Sequence, residues 1–530
     1  MVAWIWIGQP NVRRLLVAVL LYAVPASSVA FVIFSRREPI PRDATIFAAG
    51  SAMIAGALYA APIAMSSPSI VAGLFALLLV ALTTRRWPGM AIATLFVVSG
   101  THGSMLAFTP IPPRVTVDAF LIALLLVMVL HIARVRADRS FLPSPAVALL
   151  GVYLGLSILA ALFSSDRGLA FESVRVGGWT MLAIVPVAYG AWSESTLRRV
   201  RVAIVLTCLL VGAYATLRWQ IGPASAEEGL LGSFGSTNYD FVQGKQKVQG
   251  SFVTGHALGH WVGVVLPFCV SAMFLARRRV RRLAIAAVPF LVLSLFASQS
   301  RTGLVAAVVG AALALAQVWR VGSMRLPRIA VTLVVALTLF IGGATLFSVV
   351  VQDSGLKARY ARTLTPDRDP AFQERLTRWR AALDGADEFP FGRGLGTAFS
   401  GSRFTRTQRF ADPAGRQVDS SYVQIAYEQG FVVMLLLIAG LLILLIEVWR
   451  RGSQTNDREH AWPAIGALGT AAALVVELFS GQYFHSLIAL AAWVIIGVGL
   501  APLVTVRKSI AETGSIERPR PAIDLALRSR

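Results

Sequence analysis

Arg301 lies in FASQSRTGLV (296–305), where one long apolar run closes and another opens. A guanidinium at such a seam either anchors a helix end by reaching for the membrane surface or serves chemistry. Three more arginines stand in DPAFQERLTRWRAALDG (369–385), which reads as a helix: Asp369 can cap it, Pro370 suits its first turn and Gly385 ends it. Phe372, Leu376, Trp379 and Leu383 form one apolar stripe with Arg375 and Arg378 beside it. Such a helix can rest on a bilayer face and hold its guanidinium groups at the depth of lipid phosphates. Asp419, just ahead of an apolar segment starting near Tyr422, could accept a proton, orient a hydroxyl or cap the helix. Glu428, about 13 Å further along at 1.5 Å per residue, is the reserve base.

Other motifs carry less chemistry. GRGLG (392–396) looks like a phosphate-cradling loop, but no strand precedes it and no helix follows, so it reads as a tight, close-packed turn. HALGH spaces His256 and His260 one helical turn apart, as zinc ligands can be; no nearby carboxylate or thiolate completes a site, so packing or hydrogen bonding is expected and no metal.

The elements that must position these groups are apolar helices. The 530-residue chain is 56% hydrophobic and only 14% charged, well below the roughly 25% of soluble proteins, and its mean hydropathy is +0.67. Runs such as 15–34 and 329–350 reach the roughly 20 apolar residues needed to cross a bilayer, and no strand-like alternation repeats. The expected fold is all-α: a polytopic transmembrane bundle of about 14–15 spans. These fall near 15–34, 44–64, 68–83, 88–108, 115–133, 145–163, 176–192, 198–218, 256–276, 283–299, 303–319, 328–351, 422–448, 461–480 and 486–505. PASSVA (25–30) imitates a signal-peptidase site, but FVIFSRR carries the apolar run into a basic stop, so the segment is expected to stay. Cys208 and Cys269 lie inside apolar runs, which argues against a disulfide framework.

The excess of 49 Lys and Arg over 27 Asp and Glu is an orientation signal here and points to no nucleic-acid partner. RRW (85–87), ARVRADR (133–139), RRVR (198–201), RRRVRR (277–282), WRVGSMRLPR (319–328) and WRRGS (449–453) all fall on one side, which the positive-inside rule makes cytoplasmic. Arg301 then faces outside, with a Gly-, Ser- and Gln-rich loop (220–255) and a long loop (352–421). The long loop holds twelve Lys and Arg against nine Asp and Glu. Basic charge there does nothing for insertion and suggests an anionic ligand. The expected divisions are N-terminal helices (1–144), a central core (145–351), an extracytoplasmic loop domain (352–421), C-terminal helices (422–505) and a disordered cytoplasmic tail (506–530).

Three stretches together resemble the O-antigen ligase and polysaccharide polymerase family: KVQGSFVTGHALG (247–259), SQSRTGLVA (298–306), and ERLTRWRAAL with PFGRGLGTAF and VDSSYVQIAYEQG. The resemblance covers roughly 145–505 and implies a glycosyltransferase type C-like fold. It places the family's essential arginine on Arg301 and its second, four residues before a Trp, on Arg375. Lys247 matches the family's basic residue, and His256 stands where Asn is usual. Asp419 replaces the ligase His while the spacing to Gly430 is kept, and Val433 replaces a final small residue. That departure points toward a polymerase-like member.

The resemblance implies a glycosyltransferase in the bacterial plasma membrane, surrounded by membrane lipids and working on the extracytoplasmic face. Its donor would be a polyprenyl-diphosphate-linked glycan and its acceptor a glycan or a lipid. Arg301 and Arg375 would hold the diphosphate and Asp419 would take the acceptor's proton, with Lys247, His256, Arg378 and Glu428 as further substrate-binding candidates. Arginines in place of a divalent ion imply metal-independent transfer without a cofactor, and direct displacement by one acceptor hydroxyl, as the resemblance implies, predicts inversion. A lipid-linked oligosaccharide flippase and a non-catalytic subunit of a polysaccharide synthesis complex are the other readings.

Overall fold

The computed structural model describes Val80 and residues 83–108, 113–135, 144–164, 167–190, 192–228, 241–242, 245–322, 366–384, 391–398, 418–454, 457–481 and 487–501. The spans expected at 15–34, 44–64 and 328–351, nearly all of 68–83, and the tail from 506 lie outside these residues.

The described chain is almost entirely helical. In order it forms α1 (Pro88–Phe108), α2 (Pro113–Val135), α3 (Pro145–Leu162), α4 (Arg167–Gly177), a 3₁₀ turn (Trp179–Ala183), α5 (Ile184–Tyr189) and α6 (Glu194–Ile221). Two-residue strands β1 (Phe241–Val242) and β2 (Lys245–Gln246) pair antiparallel. Then come α7 (Gly255–Leu275), α8 (Arg278–Ala297), α9 (Arg301–Gly322), a 3₁₀ turn (Pro366–Arg368), α10 (Pro370–Leu383), α11 (Ser421–Gln429), α12 (Phe431–Gln454), α13 (Arg458–Ser480) and α14 (Leu487–Leu500). Among the described residues eight helices are long and apolar enough to cross a bilayer: α1, α3, α6, α7, α8, α9, α12 and α13. This is a polytopic helical membrane bundle.

α7 is its axis, packed against α8, α9, α13 and α14. Lipid supplies no hydrophobic drive between apolar helices, so close packing of small residues must hold them. A Cβ on Gly303 of α9 would stand 2.3 Å from the Gly259 carbonyl of α7. The bundle closes because both positions lack side chains. Large apolar side chains such as Leu435 and Leu442 on α12 and Leu159 on α3 stay exposed, as a lipid-facing surface requires.

Two expected spans are broken. The segment near 176–192 is the end of α4, a 3₁₀ turn and the six-residue α5. Gly178 sits where a Cβ would stand 2.5 Å from Leu154, so the chain turns tightly against α3 instead of running straight. The segment near 422–448 is split at Gly430, whose φ of 88° ends α11 and starts α12 in a new direction. α11 is thereby an end-cap element, separate from the membrane-crossing α12.

Candidate functional site

Alternation of the helices puts Arg301, the C-terminus of α13 and the N-terminus of α7 at one end of the bundle. The basic starts of α6, α8 and α13 lie at the other. At the Arg301 end, α10 packs on α11 and against the end of α13. Its apolar stripe, expected to rest on lipid, packs instead on protein. Trp379 meets the Phe479 ring of α13 edge-on at 5.1 Å between centroids, and Leu376 joins Trp379, Val418, Val423 and Tyr427 in a small core.

That docking creates a cavity of about 240 Å³ lined by α9, α10 and α13. Arg301, Thr302, Asp369, Arg375 and Ser480 are its polar lining, while Val305, Phe372, Trp379, Val476 and Phe479 are apolar. Each arginine faces a carboxylate. Arg301 Nη2 lies 2.6 Å from Asp369 Oδ2, a largely buried pair, and Arg375 Nε lies 3.7 Å from Asp419 Oδ2. Asp369 does occupy the N-cap position of α10, but its side chain makes no cap hydrogen bond. The nearby cation wins over the backbone N–H. Asp419 does not cap α11 either: Ser420 holds that position, and its hydroxyl accepts the Val423 N–H. The structure thus places Arg301 and Arg375 in one cavity wall and pairs Asp419, which does not line the cavity, with Arg375.

The four further candidates stand outside the cavity wall. Arg378 pairs with Glu374 one turn back on the exposed side of α10. Lys247 Nζ meets His256 Nε2 at 2.9 Å at the start of α7. The segment that carries Lys247 is pinned to α1: Ser251 donates its hydroxyl to the Gly100 carbonyl at 2.6 Å, and Gly103 donates its N–H to the Ser251 carbonyl at 3.0 Å.

Glu428 is buried beneath the GRGLG turn, whose Gly392, Gly394 and Gly396 all have positive φ. Its Oε1 accepts the Ala398 N–H at 2.9 Å and the Gln424 side-chain N–H at 3.3 Å. The turn also donates Arg393 and Gly394 N–H groups to the Tyr427 and Glu428 carbonyls. Burial pushes the Glu428 carboxyl up from 4.5 to about 7, against the opposing pull of these donors. Its position makes it an anchor for the turn, and no cavity contact falls to it.

Beside Arg301 the chain holds a second polar constellation that spacing alone does not reveal. His260 Nδ1 lies 2.7 Å from Glu477 Oε2, and His260 Nε2 lies 3.3 Å from Ser300 Oγ. All three side chains are buried. Cys208 and Cys269 are free and buried, and the described residues contain no cluster of three His, Cys, Asp or Glu able to hold a metal ion.

No curated protein matches the chain. Residues 286–438, from the middle of α8 into α12, match the family model described as O-antigen ligase, and that stretch contains Arg301, Arg375 and Asp419. The chain is therefore a multi-pass helical membrane protein that is similar to the O-antigen ligase family over these residues.

Proposed function

We propose that the protein transfers glycan from a polyprenyl-diphosphate-linked donor to a glycan or lipid acceptor on the extracytoplasmic face of the bacterial plasma membrane. One observation carries the reading: a single cavity joins Arg301, Arg375 and the Asp369 carboxylate to an apolar wall on α9, α10 and α13, and Asp419 pairs with Arg375 from outside its lining. A ligand with a diphosphate at one end and an isoprenoid at the other matches that division. The basic runs at the opposite end of the bundle support the assignment of faces.

In this reading Arg301 and Arg375 donate paired N–H groups to the diphosphate oxygens as the anomeric C–O bond breaks and charge gathers on the leaving group. The acceptor hydroxyl gives its proton to Asp419 while its oxygen bonds to the anomeric carbon from the opposite face, so configuration inverts. The two arginines neutralise the leaving diphosphate, which removes the need for a divalent ion. A His at position 419 would suit a ligase, and the aspartate favours the polymerase side of the family.

The test is transfer of labelled glycan from purified donor by the protein in proteoliposomes, with chelator present. The expected result is lengthened or newly linked glycan together with one free polyprenyl diphosphate per transfer. Movement of intact donor across the bilayer without bond cleavage would identify a flippase and overturn the proposal.

A further inference from the structure

The turn between α8 and α9 holds Gln299 at φ 54°, the one non-glycine residue with positive φ among those described. Such a backbone is strained for a residue with a side chain and persists only where its surroundings fix it. Here the next residue, Ser300, is fixed from both sides. Its Oγ accepts the Gly303 N–H at 3.3 Å, and its carbonyl accepts the Leu304 N–H at 3.1 Å, so it is the N-cap of α9. The same Oγ meets His260 Nε2 of α7. Gly259, one residue earlier, lets the turn come this close, since a Cβ there would stand 2.2 Å from the Ser300 Cβ.

His260 is itself held by Glu477 of α13, whose other carboxylate oxygen is buried without a partner. Gly263 leaves room for that oxygen, which would lie 2.5 Å from a Cβ at that position. Two apolar side chains could fill this space at lower desolvation cost. What the pair adds is direction. With Nδ1–H donated to Glu477, the ring presents Nε2 as an acceptor for the Ser300 hydroxyl, and that hydroxyl sets the first turn of α9.

We propose that Glu477, His260 and Ser300 form a buried relay that fixes the first turn of α9 and so aims the Arg301 guanidinium into the cavity. These are positioning residues: none lines the cavity, and all act through Arg301. The consequence for donor binding rests on the donor reading above, whereas the consequence for the turn does not.

The experiment therefore has two arms on the full-length protein in nanodiscs. The first is amide hydrogen exchange. His260→Leu and Ser300→Ala should speed exchange at residues 299–304, and Ser300→Thr, which keeps the hydroxyl, should restore most of the protection lost in Ser300→Ala. Unchanged exchange there in Ser300→Ala, or loosening spread evenly along α7 and α13 in both variants, would overturn the relay. The second arm measures affinity for polyprenyl diphosphate in a double-mutant cycle. His260→Leu should weaken binding about tenfold in the parental background and have almost no effect beside Arg301→Ala, the non-additivity expected of a residue acting through another. Equal losses in both backgrounds would overturn the link to Arg301. If the parental protein binds no polyprenyl diphosphate, the donor reading fails, and the exchange arm still decides whether the relay holds the turn.

Discussion

Arg301 Nη2 and Asp369 Oδ2 lie 2.6 Å apart, a contact that ties the first turn of α9 to the first residue before α10. The carboxylate does two things there. It holds the guanidinium by one edge, and it offsets a positive charge that an incoming diphosphate would otherwise meet in full.

Substitutions at Asp369 separate these effects. Asn keeps a hydrogen-bonding oxygen but no charge, so Asp369→Asn should bind polyprenyl diphosphate at least as tightly as the parent. Asp369→Ala loses the hold on Arg301 and should lower transfer more than about tenfold, within the cost of breaking a partly buried charge pair. Titration of both variants by calorimetry, alongside the transfer assay, checks this. Weaker binding by the Asn variant than by the Ala variant would show that the account of the pair is wrong.

Asp419 is open to a cleaner test than its place in the sequence suggests, because Ser420 is the N-cap of α11. If its carboxylate takes the acceptor proton, Asp419→Asn should reduce turnover by roughly 10²–10⁴-fold with donor affinity nearly unchanged. Ser420→Ala should cost about 1 kcal/mol of stability as a lost cap. Parental turnover in the Asn variant would remove Asp419 from the chemistry.

Glu428 predicts a pH effect on stability. Its carboxyl titrates near 7 when folded and near 4.5 when free, so the folded state holds the extra proton between those values. Below about 4.5 both states are protonated and the group contributes nothing. As pH rises from 4.5 to 7 the unfolded chain ionises while the folded one still holds its proton, so stability falls by up to about 3 kcal/mol across that window and levels off above it. Thermal melts from pH 5 to 8 should show the parent losing ground to Glu428→Gln as pH rises. Parallel curves would place the Glu428 proton elsewhere.

The division of faces is open to labelling. Cys208 and Cys269 are buried, so background reaction should be low. Arg368→Cys, beside α10, should react with an impermeant thiol reagent in intact spheroplasts, and Arg279→Cys, in the basic start of α8, should not. The reverse pattern would invert the topology.

Much of this architecture was legible in the sequence because lipid leaves a chain few choices. Long apolar runs had to become helices, and Pro370 with the Phe372–Leu383 stripe defined α10 closely. The GRGLG turn was readable from its glycines. What escaped depends on distant partners. Asp369 is a good local cap, yet its carboxylate turns to Arg301, 68 positions earlier in the numbering. The break at Gly430 is hard to read because the long apolar run that follows it draws the shorter, mixed stretch before it into one apparent span. His260 and Glu477 are 217 residues apart, and only the close approach of α7 and α13 makes them one unit. The stripe on α10 was equally suited to lipid or protein, and the choice was made by Phe479 and α11.

The central claim is that Arg301 holds the leaving diphosphate by paired hydrogen bonds, and Arg301→Lys tests it most directly. Lysine keeps the charge but presents a single point donor. Turnover would be measured at saturating donor in proteoliposomes carrying matched amounts of folded parent and variant. The account expects a loss of about 10²–10³-fold, the cost of one transition-state contact. Turnover within a few-fold of the parent would contradict it and leave Arg301 as a positive charge without a specific grip on the donor.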